Sequence, residues 1–450
     1  MRFIKQTYYH FAYLASLFLL ISYSYALPNI VLTNCNIIDG RGTPIASDMV
    51  VIISDNKIKK IDRGPYKNTI EKGMEIIDLK GGYILPGFWN NHSHLSDLLP
   101  DVNNILGSEN TVSATIRAGR NAMDALKRGF TSLRSTGSRD YLDVYWGKAF
   151  EDGVFIGPTI YSAGNPLTAE NGHGIDDYAW PATIPVNGKN EMKQAVRRHL
   201  DMGVSWIKIM ADELTEEEIS TAVSIAHKSN VKVVAHAAEE GAYRAIKAGV
   251  DCIEHGYDLS EKTLKLMVKR GVFYDPTIVC NLSAEYITER EDKITEIGLE
   301  NDQTVIDGRI LVAYADERSP ARALRQRQIL LRAQEIGVKI TAGADSNPLG
   351  ELGLLEIEQL AFSGLTEMQA IIAATKNSAE MNGVLDKVGT IEEGKIADLI
   401  VLSDNPLDHI SNIRKLKMVI KNGHIIDISF PEKQTNFWDL YFKEQKEGGR

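Results

Sequence analysis

Alternating strand and helix patterns between residues 83 and 385 predict an α/β fold, a (β/α)8 or TIM barrel, because eight such units close a barrel. The strand candidates are Tyr83–Phe88, Ser132–Ser135, Ile160–Ala163, Trp206–Met210, Val231–Ala235, Cys252–Glu254, Val272–Tyr274 and Lys339–Ala342. β-Branched runs gather at both chain ends instead. They predict a small β-sandwich domain, built from residues 27–82 and 386–430, beside the barrel.

The composition is that of a globular protein with a large core. The chain has 450 residues, of which 44% are hydrophobic and 24% charged. Its formal net charge is −10 and it has no basic cluster that would follow phosphates, which argues against nucleic-acid binding. The three cysteines, Cys35, Cys252 and Cys280, are too few for a disulfide framework. They are predicted to be buried free thiols.

The first 26 residues have the pattern of a signal peptide. Arg2 and Lys5 precede the apolar stretch Phe11–Ile21, and small residues permit cleavage after Ala26. The stretch is shorter than the roughly 20 residues of a membrane span, and an uncleaved anchor is the alternative. The mature chain is therefore expected in a periplasm or outside the cell, with no stable membrane association. Residues 431–450 form a polar tail, and the long connection Asn281–Gln334 is expected to carry extra helices.

Six side chains that can bind a metal fall at or near the ends of predicted strands. They are His92, His94, Lys208, His236, His255 and Asp345. A TIM barrel gathers its functional groups at the carboxyl ends of its strands, so we expect these side chains to converge. His92 and His94 are separated by one residue and therefore point to the same side of a strand. A single histidine in such a place is usually a hydrogen-bonded core residue, but the ordered set favours ligands.

Lys208 and Asp345 extend the histidine set. Lys208 lies in an apolar strand, where a cation is costly to bury. As a neutral amine it can add CO₂, and the resulting carbamate would bridge two metal ions; the alternative is a lysine that reaches the barrel rim. Asp345 follows the eighth predicted strand and is interpreted as a ligand that exchanges a proton with water. Its alternative role is to cap the next helix.

These motifs resemble the amidohydrolase superfamily. Leu85-Pro86-Gly87-Phe88 before His92-Ser93-His94 is similar to its entry motif, and Ile253-Glu254-His255-Gly256 and Thr341–Ser346 are similar to later ones. Gly389–Leu399 resembles the return into its small sheet domain. Gly157–Gly164, followed by Gly172-His173-Gly174, resembles the branch of Xaa-Pro and Xaa-Arg/Lys dipeptidases and imidazolonepropionase-like enzymes.

The resemblance implies a site with two divalent metal ions, zinc being the expected metal. His92, His94 and Asp345 would hold one ion, His236 and His255 the other, and carboxylated Lys208 would bridge them. A bridging hydroxide would attack a small-molecule substrate while Asp345 moves the proton, which hydrolyses an amide-type C–N bond in a dipeptide, an N-acyl amino acid or a similar compound. His173 would polarise the substrate carbonyl or, alternatively, stabilise its loop. A homo-oligomer is left open.

Two other functions compete with this interpretation. The first is a single-metal hydrolase of the imidazolonepropionase or deaminase kind, in which Glu239, three residues after His236, is the proton shuttle. Glu239 could instead open the next helix, where the helix dipole favours a carboxylate. The second is a barrel without catalysis that only binds a metal or a small ligand, which the complete ligand set argues against. Asn90 stands where the superfamily commonly has Asp.

Overall fold

The computed structural model describes residues 29–65, 73–96, 111–175, 183–282, 284–298, 300 and 320–429. The predicted signal peptide, the polar tail and part of the connection between Asn281 and Gln334 lie outside these residues. Within the described ranges, none of the helices has the length and apolar character needed to cross a membrane.

Strands and helices are numbered in chain order. The strands are β1 (Ile30–Ile37), β2 (Ala46–Ser54), β3 (Lys57–Arg63), β4 (Glu75–Asp78), β5 (Tyr83–Pro86), β6 (Phe88–Ser93), β7 (Phe130–Ser135), β8 (Thr159–Tyr161), β9 (Leu167–Ala169), β10 (Ile184–Val186), β11 (Trp206–Met210), β12 (Lys232–Ala238), β13 (Cys252–Tyr257), β14 (Phe273–Asp275), β15 (Leu399–Leu402), β16 (Leu416–Lys421) and β17 (His424–Ile426). The helices are α1 (Thr111–Lys127), α2 (Leu142–Glu151), α3 (Gly188–Met202), α4 (Glu216–Lys228), α5 (Glu239–Ala248), α6 (Glu261–Arg270), α7 (Ala284–Glu296), α8 (Pro320–Ile336), α9 (Leu349–Phe362), α10 (Glu367–Ile372) and α11 (Ser378–Met381).

One mixed sheet combines strands from the two ends of the described chain. Its order is β17-β16-β15-β5-β1-β2-β3, and β4 also pairs with β1. The connection between the two ends is antiparallel pairing of β15 with β5, in which Ile400 lies opposite Leu85. Alternating apolar residues such as Leu32, Val51 and Leu399 form the core on one face. All these strands are hydrogen-bonded into one sheet, and the sandwich arrangement stays a prediction.

The parallel strands between the two ends form two sheets, β6-β7-β8 and β10-β9-β11-β12-β13-β14. Backbone hydrogen bonds link these two sheets and the eighth predicted segment. Trp206 N donates to Ser162 O over 3.0 Å, Thr341 N to Tyr274 O over 2.9 Å, and Asn91 N to Ala342 O over 2.8 Å. The predicted eighth strand is reduced to one bridge between Ile340 and Tyr274. The eight predicted segments are thus linked edge to edge, but no single regular sheet runs through all of their described residues.

The first predicted barrel strand, Tyr83–Phe88, is wrong as one element. It divides at Gly87 into β5, which belongs to the mixed sheet, and β6, which pairs with β7. A Cβ at position 87 would lie 2.2 Å from the Thr131 side chain, so only glycine permits the chain to pass here. The short strands β9 and β10, which follow β8, were not predicted.

The helices cover one side of the parallel strands and leave the other side for polar groups. In β11, the buried Ile207 and Ile209 belong to the apolar cluster that contains Ile219 and Val223 of α4. Lys208 lies between them and therefore points to the opposite side. Helix α4 begins at a capping box, in which the Thr215 side chain accepts from Glu218 N and the Glu218 side chain accepts from Thr215 N.

Candidate metal centre

The two histidines of β6 converge on one aspartate. Asp345 Oδ1 lies 3.1 Å from Nε2 of His92 and 3.1 Å from Nε2 of His94. Nδ1 of His94 donates to the Gly137 carbonyl over 3.0 Å, which leaves Nε2 as the acceptor nitrogen. One ligand atom from each of the three residues lies within 4.8 Å of the others, the spacing of a group that could hold a metal ion.

Close contact between β6 and the eighth segment places Asp345 here. Asp345 N donates to His92 O over 2.9 Å, and Asp345 has the left-handed φ of 51°. A Cβ at Gly343 would lie 2.5 Å from His92 N and 2.7 Å from the Asp275 carboxylate. The glycine is therefore required for this approach. Asn90, in the position where the superfamily has Asp, accepts from His92 N at 3.3 Å and from Ala344 N at 3.1 Å.

A row of rings continues the site on the neighbouring strands. The His255 ring centroid lies 5.0 Å from that of His92 and 4.5 Å from that of His236. His173 stacks on His236 at 4.8 Å with an interplanar angle of 19°, and Tyr257 stacks on His255 at 5.3 Å. The segment after β9 thus brings His173 into contact with a predicted ligand.

Lys208 occupies a buried ionic network at the base of the histidines. Its Nζ contacts Oε2 of Glu254, and the same oxygen lies 3.2 Å from Nδ1 of His92. The other Glu254 oxygen contacts Arg134, whose guanidinium is also 3.6 Å from Asp275 Oδ2. Lys208, Glu254, Arg134 and Asp275 are all at most 1% exposed. A buried charge without a partner strongly destabilises the folded protein, so each charged group of this network depends on the others.

Burial and neighbouring charges lower the pKa values of the histidines, which favours the neutral form that binds a cation. Burial lowers the pKa of His92, and burial together with Lys208 and His173 lowers the pKa of His236 to about 3. Burial and His236 hold the pKa of His255 well below its ordinary value. Burial alone would raise the pKa of Asp345, but the neighbouring His92, His94 and His255 together outweigh burial and hold that pKa well below its ordinary value. Neutral imidazoles beside an ionised carboxylate are the donor set that divalent metals require.

The structure brings all the predicted site residues together, and their roles as ligands stay predictions. It also shows three contributors that the sequence analysis passed over: Glu254, Tyr257 and Cys280. Cys280 is partly exposed, so the prediction that all three cysteines are buried is wrong for this residue, whereas Cys35 and Cys252 are buried. Glu254 could have been found by the signal that identified Lys208, a charged residue inside an apolar strand.

Glu239 is bound elsewhere. Its carboxylate accepts from Ser260 N at 2.7 Å, from Ser260 Oγ at 2.6 Å and from Thr263 Oγ1 at 2.8 Å. Ser260 precedes α6 and Thr263 lies in its first turn, so the Glu239 carboxylate is bound at the beginning of α6. The geometry therefore favours the structural role for Glu239 over that of a proton shuttle.

Comparison with known proteins agrees with the family resemblance of the sequence motifs. Residues 83–426 match the model of the Amidohydrolase family. Ochratoxinase of Aspergillus niger is 28% identical over 375 residues, which are 75% of this chain and 73% of that protein. Imidazolonepropionase of Clostridium tetani is 22% identical over 418 residues, covering 86% of this chain and 93% of that protein. The crystal structure of a Xaa-Pro dipeptidase with bound methionine has a TM-score of 0.74 and 29% identity, over 89% of this chain and 100% of that chain.

The family and the similar crystal structures imply a hydrolase built on a TIM barrel with an additional β domain. The chain belongs to the amidohydrolase family, and it is an enzyme that acts on carbon–nitrogen bonds. The resemblance drawn from the sequence motifs is confirmed, including that to the branch with dipeptidases and imidazolonepropionases. The hypothesis of a barrel without catalysis is thereby discarded.

Proposed function

We propose that this enzyme uses divalent metal ions to hydrolyse the amide bond of a small molecule, a dipeptide or an N-acyl amino acid. The observation that carries the proposal is the position of Asp345. Its Oδ1 contacts His92 and His94, while its Oδ2 lies 4.0 Å from Nε2 of His255. One carboxylate thus lies between two groups of histidines. The similarity to a Xaa-Pro dipeptidase supports the dipeptide class.

The residues present fit the metals that the family implies. His92, His94 and Asp345 would hold one ion, His236 and His255 the other, with carboxylated Lys208 between them. Zinc is the proposed metal, because imidazole and carboxylate ligands suit it. When bound, the ions supply a Lewis acid and lower the pKa of water towards about 7.

The protein's own groups then orient the substrate and move the proton. Asp345 is ionised, so it accepts the proton of the attacking water and returns it to the leaving amine. His173 contacts His236 at the loop side of the site, from which its ring donates to the substrate carbonyl. Buried strands hold both groups of histidines, so little reorganisation is needed during the reaction.

Carboxylation of Lys208 has a structural requirement. A carbamate forms when a neutral amine adds CO₂ and loses a proton. The Lys208 Nζ must therefore give up its ammonium proton and its ion pair with Glu254 before it adds CO₂, and both protons leave to solvent. Arg134 remains beside Glu254 and compensates its charge after that change. Metal binding at the histidines would then favour the carbamate, since it adds a negative ligand beside cations.

The test is the metal content per chain of protein purified with bicarbonate. We expect about two ions per chain in the wild type and fewer in Lys208→Ala. Lys228→Ala, on the exposed end of α4, is the matched control and should keep the wild-type content. The metal-loaded protein is assayed on dipeptides and N-acyl amino acids.

Other results would separate the alternatives. One ion per chain, unchanged in Lys208→Ala, would favour the single-metal hydrolase and direct the assays to cyclic amidines and imidazolones. Failure of the metal-loaded protein to cleave any dipeptide or N-acyl amino acid would contradict the proposed substrate class.

We further propose that residues 1–26 direct export of the enzyme. The positive start, the short apolar stretch and the small residues before the cut support this. N-terminal sequencing of protein from the periplasm or the medium should begin at Leu27. A chain that retains Met1 in a membrane fraction would instead identify an uncleaved anchor.

A further inference from the structure

Cys280 brings a thiol to the metal centre that nothing above has used. Its Sγ lies 3.2 Å from Asp345 Oδ2, the oxygen that faces away from His92 and His94. One ligand atom from each of His255, Cys280 and Asp345 lies within 4.8 Å of the others. Asp345 is therefore shared by two groups of donors, and a sulfur atom belongs to the second.

The turn that carries Cys280 is held in place from both sides. Cys280 lies in the 3-10 turn Ile278–Asn281, which follows β14. The buried Glu356 of α9 accepts from Ile278 N at 3.0 Å and from Val279 N at 2.8 Å. Thr277, immediately before the turn, contacts His255 Nδ1 through its hydroxyl at 2.7 Å. The position of the thiol is thus fixed relative to His255.

The distances suit shared coordination. Two ligands bonded to one zinc ion at about 2.0–2.3 Å can be no more than about 4.6 Å apart. Cys280 Sγ and Asp345 Oδ2 are 3.2 Å apart, and His255 Nε2 and Asp345 Oδ2 are 4.0 Å apart. Both separations are below that limit, and the ligand atoms of Cys280 and His255 lie within 4.8 Å of each other.

We propose that Cys280 is a thiolate ligand of the metal ion held by His255, and that this position selects a cation that binds sulfur. This inference rests on the proposed metal-dependent function and adds a ligand to it. On binding, the sulfur loses its proton to solvent and gains the bond to the metal. Thiolate favours zinc and cadmium over magnesium, calcium and manganese, which prefer oxygen ligands.

The first test uses Cd²⁺ alone as the probe on full-length protein stripped by a chelator. Wild type should develop the ultraviolet charge-transfer absorption of a cadmium–thiolate bond as Cd²⁺ is titrated. Cys280→Ser should lose that absorption. Cys35→Ser, at a buried thiol of β1 outside the site, is the control and should keep it. Persistence of the absorption in Cys280→Ser, or its absence in wild type, would overturn the proposal.

A second measurement needs no variant and therefore does not depend on the folding of Cys280→Ser. The wild-type protein is alkylated, and each thiol is quantified by peptide mass spectrometry. Cys280 should react in the folded protein, while the buried Cys35 and Cys252 should not. At Cd²⁺ ten times above the dissociation constant, about one site in eleven is free, so the Cys280 rate should fall about tenfold. An unchanged rate would contradict coordination by the sulfur.

These readouts are independent of hydrolysis. Amide cleavage by an enzyme whose Cys280 shows neither absorption nor protection would leave the proposed function intact and remove only the thiolate ligand. Thiolate signals in a protein that cleaves none of the amides would support Cys280 as a ligand and contradict the proposed substrate class.

Discussion

Replacement of Arg134 by methionine tests the buried ionic network most directly. The Arg134 guanidinium lies 2.5 Å from Glu254 and 3.6 Å from Asp275, and it stacks 4.8 Å above the Trp206 ring. Its Nε also donates to Asn91 O over 2.6 Å. Methionine retains most of the side-chain volume, so the substitution chiefly removes the charge and these hydrogen bonds.

The expected loss of unfolding free energy in Arg134→Met depends on how Glu254 and Asp275 are compensated once the arginine is gone. Loss of one partner from a buried ion pair costs roughly 3–5 kcal/mol of unfolding free energy. Glu254 keeps Lys208 as a partner, which places the expected loss at the lower end of that range. Burial raises the pKa of Asp275 to about 7 even though Arg134 lowers it, so removal of the arginine raises this pKa further and the carboxyl stays protonated above pH 7. The loss should consequently be larger above pH 7 than below it.

Urea denaturation followed by circular dichroism measures this effect. The Arg134→Met midpoint should fall clearly below that of wild type, and the difference should grow as the pH rises through about 7. The matched control is Arg332→Met, which removes an exposed arginine that pairs with Glu261 and should leave the midpoint unchanged. Equal midpoints for Arg134→Met and Arg332→Met would refute the reasoning.

Two further predictions concern carboxylates. Burial raises the pKa of Glu356 from its ordinary value of 4.5 to about 8, so its contribution to stability is complete below pH 4.5 and is lost as the pH rises through about 8. Urea midpoints across that range should therefore fall with pH in wild type and less steeply in Glu356→Gln; parallel slopes would show that Glu356 is not the titrating group. Asp345→Asn should lower kcat by about 100- to 10,000-fold, because the proton acceptor is lost. Stopped assays on a cleaved dipeptide measure this, and a wild-type kcat would remove Asp345 from the proposed proton transfer.

The positions of the histidines could be predicted because each depends on a local pattern. His92 and His94 share a side of β6 through the period of two, and His236 lies in the strand β12 that the apolar run Val231–Ala235 indicated. The family resemblance then indicated that the strands with these histidines belong to one barrel. The convergence of these side chains follows from parallel pairing, in which His236 lies opposite Glu254.

Contacts between distant segments could not be predicted in this way. Cys280 lies in a short turn without periodicity, and its orientation depends on Glu356, which belongs to a helix far along the chain. The division at Gly87 was missed because apolar residues continue on both sides of it, and only the contact with Thr131 explains the break. The pairing of Lys208 with Glu254 likewise requires the register of three strands.

The antiparallel pairing of β5 with β15 bears on the order of events during synthesis. The paired residues Leu85 and Ile400 are separated by about 300 residues, an unusually non-local contact. At about 5–20 residues per second, a ribosome needs roughly 15–60 s between these two strands. Throughout that time the edge of β5 has no partner from β15, and an unpaired edge invites association with other chains. Slower growth or chaperone supply during expression should therefore raise the yield of folded enzyme.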